Sequence, residues 1–331
     1  MEAYFNFYGI RLRVSSNSIE LIDNIKSDFS YFESSDRIYD INIESYRESL
    51  PYYKIPKIRA SLYNVDSIAY DDKNVRYVDY HGDALTIYDY ESENGEIYSE
   101  NFDLLYELSY LMINSRVGEL LDRNGIHRVH ALGFSYKNKA VLCLMPEGGG
   151  KTTLALDLLK EKDIMLISED TPLITKNCEV LPFPSRMGIR KGSYIDIPSE
   201  YLREFRRRKN SDKVLIDIEY FREKISSVVE PWITIIGERE FSNESKIEKT
   251  NKIKALPVLV KNIVFGLGLP QMVEYFLRYD IKDILDKYGI ALSRLFTSLK
   301  ILSKSKTYRF IIGRDQKKNA KELINFLHDI C

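Results

Sequence analysis

Cysteine is scarce. Cys143, Cys178 and Cys331 are the only three in 331 residues, odd in number and widely spaced. That counts against a disulfide framework or a Cys-rich zinc site and fits a reducing compartment. Cys143 lies in an apolar run and reads as a small core hydrophobe. Charge of either sign is equally unavailable as a global signal. The 48 Lys and Arg against 49 Asp and Glu leave a formal −1, which draws the chain to neither nucleic acid nor an anionic membrane. No apolar run reaches the ~18 residues that a membrane span takes. The first residues, Met1 to Phe7, lack the basic start and apolar core of a signal peptide. The expectation is a cytoplasmic, soluble protein with no nucleic-acid and no membrane partner. Its length suggests about two domains.

What the chain does have is concentrated between Ala140 and Leu159. Val141, Leu142, Cys143 and Leu144 form a short apolar run typical of a strand covered on both faces. Gly148, Gly149 and Gly150 follow, then Lys151, Thr152 and Thr153, and then an amphipathic segment with Leu154, Ala155, Leu158 and Leu159 inward. Strand, glycine turn and helix in that order make a phosphate-binding loop. Glycines free the backbone to point its N–H groups inward, and the helix adds its positive end. Lys151 is then expected to reach the β/γ-phosphates of ATP, and the Thr152 hydroxyl to ligate Mg²⁺. Glu147, Gly148, Gly149, Gly150, Lys151, Thr152 and Thr153 are the expected nucleotide-binding residues. The consensus G-x-x-x-x-G-K-[ST] would put its first glycine at Met145, so that place is altered.

The segment before this loop is β-rich. Alternation predicts a strand at 10–14, and strand-like runs follow at 39–46, 61–63, 75–80 and 84–90, with turns at His81-Gly82-Asp83 and Glu93-Asn94-Gly95. Helices are predicted over 18–33, capped by Asn17 or Ser18, and over 102–121. A strand at 129–136 forms a hairpin with the loop's own strand through Lys137-Asn138-Lys139. After the loop, Ile164 to Ile167 is a buried strand ending in Ser168-Glu169-Asp170. A carboxylate there suits a magnesium ion beside the γ-phosphate. Thr171–Ile174 and Glu179–Phe183 read as another hairpin. Residues 184–192 then hold Arg186, Arg190 and Lys191, candidate contacts for phosphate or acceptor. Arg203–Lys209 reads as a solvated basic helix face, Pro231–Ile236 as a strand with Trp232 in the core, and Glu238–Lys254 as a mobile surface loop. Helices follow over 253–265, 270–278, 281–302 and 316–328, with a strand at 308–312. His81, His127 and His328 read as structural.

Arg128 to Gly133, the hairpin, Pro146 to Leu156 and Leu166 to Asp170 together resemble the kinase core of HPr kinase/phosphorylase and its relatives, which include lasso-peptide kinases. The resemblance covers about residues 125–192. It implies an α/β (α+β overall) chain with a phosphoenolpyruvate-carboxykinase-like P-loop kinase core, ATP with Mg²⁺, and phosphorylation of a hydroxyl, usually serine. It places His130 on the family's His-Ala strand, and Glu169 and Asp170 on its acidic pair. Met145, Glu147 and Glu169 depart from the family pattern, and its Glu-x-Arg-Gly segment is not reproduced. The expected catalytic residues are Glu169 as proton acceptor, Asp170 with Thr152 on the metal, His130 beside them, and Lys151. The expected domains are 1–124, a β-rich accessory or substrate-reading region, and 125–331, the kinase domain with C-terminal helices from about 251. The expected acceptor is a serine of a precursor peptide or small protein, with a small metabolite as variant. A non-catalytic ATP-binding regulator and a peptide-binding scaffold stay open, as does a homo-oligomer.

Overall fold

The computed structural model describes residues 1–146, 148–192, 196–206, 212–264, 269–272, 275 and 281–330. The chain is a mixed α/β protein with several sheets, divided into two compact units. The first comprises Met1–Leu121, Arg190–Glu219 and Pro270–Ile284. The second comprises Asp122–Ile189, Tyr220–Leu269 and Leu285–Cys331.

The first unit is built on an eight-stranded sheet. Its strands are β1 (Glu2–Phe7), β2 (Ile10–Ser16), β3 (Ile41–Tyr46), β4 (Leu62–Tyr63), β5 (Ile68–Asp72), β6 (Val75–Asp79), β7 (Leu85–Asp89) and β8 (Asn94–Tyr98), in the order β1-β2-β3-β8-β7-β6-β5-β4. Alternation of buried and half-exposed residues along β2, β3 and β6 is what one covered face imposes. Helix α1 (Ile19–Asp28) is capped by the Ser18 hydroxyl, which accepts from Leu21 N, and it buries Leu21, Ile22 and Ile25. Helix α2 (Phe102–Arg123) follows β8. The turn expected at Glu93-Asn94-Gly95 instead falls at 90–93, and Gly95 lies inside β8. A Cβ there would meet Met112 Sδ at 2.8 Å and the Tyr88 ring at 2.9 Å, so the glycine serves close packing rather than a turn.

The second unit carries the six-stranded sheet. Its elements begin with β9 (Ile126–Arg128), β10 (Leu132–Tyr136), β11 (Lys139–Leu144), α3 (Lys151–Leu158), β12 (Ile164–Ser168), β13 (Leu173–Thr175), β14 (Val180–Leu181) and β15 (Met187–Arg190). Strands β16 (Leu202–Phe205) and β17 (Lys213–Ile216) pair antiparallel within the first unit. The chain then gives β18 (Glu230–Arg239), β19 (Lys246–Lys249), α4 (Lys252–Ile263), α5 (Ile281–Lys304), β20 (Lys306–Ile312) and α6 (Gln316–Asp329). The sheet order is β12-β10-β11-β18-β20-β19. Lys137 and Asn138, both at positive φ, close the β10–β11 hairpin in two residues. β11, β18 and β20 run parallel, and a core of Leu142, Leu144, Ile236, Leu259, Ile263 and Ile301 lies on one face.

Three expectations need correction. Arg203 is in strand β16, not on a solvated helix face, and its guanidinium meets the buried Asp28 at 2.7 Å; 207–209 lie outside the described residues. The segment 238–254 is not a loop throughout. It holds the end of β18, the edge strand β19 and the start of α4, because β20 offers a free edge that β19 pairs antiparallel. Trp232 is half-buried rather than in the core and stacks on Tyr136. Cys143 and Cys178 are buried thiols, and burial pushes the Cys143 thiol far up, leaving it unreactive. Cys331, and most of the helix expected over 270–278, lie outside the described residues. No described helix is long and apolar enough to cross a membrane.

Candidate functional site

Strand direction brings three chain segments to one end of the six-stranded sheet. β11 and β12 both run antiparallel to β10, which lies between them. The loops leaving β11 and β12 therefore emerge at the edge where the chain enters β10. The glycine loop follows β11, Glu169 and Asp170 follow β12, and His130 precedes β10. Backbone bonds fix this junction. Ala131 N donates to Asp170 O at 3.2 Å, His130 N to Asn262 O at 3.1 Å, and the Ser168 hydroxyl accepts from Thr171 N at 3.0 Å. Neither Asn262 nor Ser168 carries a sequence signal; each acts by holding backbone.

Gly148 and Gly150 have φ of +68° and +88°, the left-handed region where a side chain is costly. Gly149 N donates back to Pro146 O at 3.0 Å, and a Cβ on Gly149 would sit 2.8 Å from that oxygen. Gly150 caps α3 without a side chain, so the first amides of the helix keep their capacity to bind an anion. Met145, at the place of the consensus first glycine, is buried. A Cβ on Gly237 of β18 would lie 2.9 Å from Met145 Cγ, so the methionine is turned into the core, away from the loop's open face. Glu147 lies outside the described residues.

Lys151 opens α3 and is buried. Its Nζ is 2.9 Å from Asp170 Oδ1 and hydrogen-bonds His130 Nε2. His130 Nε2 in turn is 3.1 Å from the same Asp170 oxygen. One nitrogen cannot serve both neighbours at once. Nε2 accepts from the Lys151 ammonium as a lone pair, or donates to Asp170 as N–H. Burial raises the Asp170 carboxyl, but the His130 hydrogen bond and the Lys151 charge outweigh it and hold the group below the usual carboxylate range. It is therefore ionised at neutral pH. Beside this triangle, the Thr152 hydroxyl donates to Glu169 Oε1 at 2.6 Å. Thr152 was expected with Asp170; the geometry partners Thr152 with Glu169, and Asp170 with Lys151 and His130. Thr153 is half-buried in the first turn of α3, Arg186 half-buried before β15, and Arg190 exposed at the end of β15.

A second polar cluster lies in the same unit. The buried Asp122 accepts from His127 Nδ1 at 2.9 Å and from Arg294 Nε at 3.0 Å, and His127 Nε2 meets the Ser293 hydroxyl at 2.8 Å. Burial alone would raise Asp122, but Arg294, His127 and Arg128 bring it down to about 2. In this serine–histidine–aspartate chain the aspartate is also held by the Arg294 guanidinium, which offsets its charge.

No protein-family model and no curated protein matches this chain. Among the described residues, no group of three or more His, Cys, Asp or Glu is arranged to hold a metal ion unaided.

Proposed function

We propose that the chain is an HPr-kinase-like phosphotransferase that moves the γ-phosphate of ATP to a hydroxyl, with the phosphoenolpyruvate-carboxykinase-like P-loop core in the second unit. The acceptor is a serine of a precursor peptide or small protein, and the β-rich N-terminal region reads it. The observation that carries the proposal is the convergence of Lys151, His130 and Asp170 with the Thr152–Glu169 pair at the mouth of a glycine loop that opens a helix.

The residues fit a magnesium ion. Thr152 and Glu169 supply one hydroxyl and one carboxylate, hard oxygen donors 2.6 Å apart, and Mg²⁺ is ordinarily held by one or two such groups plus substrate phosphates. When bound, the ion neutralises charge on the transferring phosphate. The loop amides and the Lys151 ammonium hold the phosphates. Arg186 and Arg190 remain candidates for further phosphate or acceptor contacts.

The Lys151 ammonium meets His130 and Asp170. A γ-phosphate draws that ammonium toward itself. Asp170 then loses the cation that depresses its basicity, while His130 Nε2 becomes free to donate to it and hold it in place. In this reading Asp170, not Glu169, accepts the acceptor hydroxyl's proton, because Glu169 is engaged by Thr152. Substrate binding thus switches the base on.

The test is mass spectrometry of a serine-bearing candidate peptide incubated with magnesium ATP and either wild-type protein or Lys151→Ala. Added phosphate and ADP release are expected with the wild type and lost in the variant. ATP binding with neither ADP nor phosphopeptide would leave a nucleotide-binding regulator instead.

A further inference from the structure

Helix α5 presents a bare apolar stripe. Leu285 is 64% exposed, Tyr288 64%, Leu292 38%, Phe296 62% and Leu299 44%. At 3.6 residues per turn these five fall within an arc of about 80° and run ~21 Å along the helix. The opposite face of the same stretch is buried, with Arg294, Ser298 and Ile301 facing inward. No charged residue interrupts the stripe, so an occupant selected by charge is excluded; it must match by apolar shape.

We infer that this stripe is a homodimer interface in which α5 packs antiparallel against α5 of a second copy, about a two-fold axis at Leu292. The spacing is its own mirror about that residue. Leu285 and Leu299 are each seven positions away, and Tyr288 and Phe296 each four. An antiparallel pair centred there sets leucine opposite leucine and tyrosine opposite phenylalanine at both ends, the self-complementarity an isologous interface requires. Apolar side chains of this size carry on the order of 200 Å² each. The exposed fractions then amount to roughly 500 Å² per copy, the larger part of the ~800 Å² a standard interface buries per partner, with flanking residues available for the rest. An apolar patch of that size matches the largest on a typical monomer, and the largest is often a functional one. The inference is independent of the phosphotransferase reading.

Sedimentation of the full chain across the micromolar range is expected to show a dimer. Leu292→Arg brings two unpaired guanidinium groups onto the axis and is expected to weaken association by roughly 100-fold or more. Its thermal melt at the monomer concentration, where Leu292 is 38% exposed, is expected to stay cooperative, so lost association is not lost fold. Geometry is read by disulfide trapping in a Cys331→Ser background. Leu292→Cys is expected to cross-link to itself, Leu285→Cys alone not to, and a mixture of Leu285→Cys with Leu299→Cys to do so. A wild-type monomer, a dimer insensitive to Leu292→Arg, or self-linking of Leu285→Cys would each overturn the proposal.

Discussion

At Lys151, His130 and Asp170 one proton decides which edge of a triangle is made, and the neighbouring pair divides the labour. If Asp170 is the base and Glu169 the metal carboxylate, conservative variants separate them. Asp170→Asn is expected to lower kcat by about 10²–10⁴-fold with little change in the magnesium requirement. Glu169→Gln should raise the magnesium concentration for half-maximal rate while retaining more activity at saturation. Titrating Mg²⁺ against rate for both variants checks this, and the opposite pattern returns Glu169 to the role of base. The carboxylates also set acid stability. Asp122 falls to about 2 from an unfolded value near 4, so its contribution is fully present above pH ~4 and is lost as pH drops toward 2. That fall corresponds to about 2–3 kcal/mol. Asp170 has the same sign. Asp122→Asn should flatten the fall of Tm between about pH 4 and pH 2, read by calorimetry.

Elements show where local sequence informs and where it cannot. β2 and β3 were legible because one face is buried and alternation records it. β8 was not, since Asn94-Gly95 carries turn chemistry, and only the packing of Met112 and Tyr88 from distant positions explains the glycine. Gly95→Ala is accordingly expected to cost about 1–3 kcal/mol through overpacking, measured as a lowered denaturation midpoint with unchanged slope. Gly150 is the opposite case: no atom lies within 4 Å of its would-be Cβ, and the cost comes from φ alone. Gly150→Ala should cost about 1–2 kcal/mol and weaken ATP binding by re-aiming the first turn of α3. Isothermal titration separates that from a stability loss. The site's members were legible as a strand–glycine–Lys-Thr pattern and a strand ending in acids. Their pairing was not, because it depends on β10 running antiparallel between β11 and β12.

For the molecule as a whole, the chain leaves the first unit after Leu121 and supplies it again with Arg190–Glu219, so something must fasten the returning segment. Arg203 does so. Its Nη2 donates to Asp28 at 2.7 Å, Nε to Asp217 at 2.6 Å and Nη1 to the Tyr106 hydroxyl at 2.9 Å, and Tyr106 donates to Asp28 in turn. Asp28 is fully buried, which explains why a residue inside a basic run is not on a solvated face: its partner lies 175 positions away. Nothing local encodes that pairing. Removing the cation alone leaves a buried carboxylate without its counter-charge, so Arg203→Ala is expected to destabilise by about 3–5 kcal/mol. Arg203→Met with Asp28→Leu removes that pair but leaves the buried Asp217 without its cation, so it should recover only part of that loss. Denaturant melts of the two single variants and the double variant give the coupling. If Arg203→Ala alone costs less than about 1 kcal/mol, the range of an exposed pair, the cluster is not what fastens the segment.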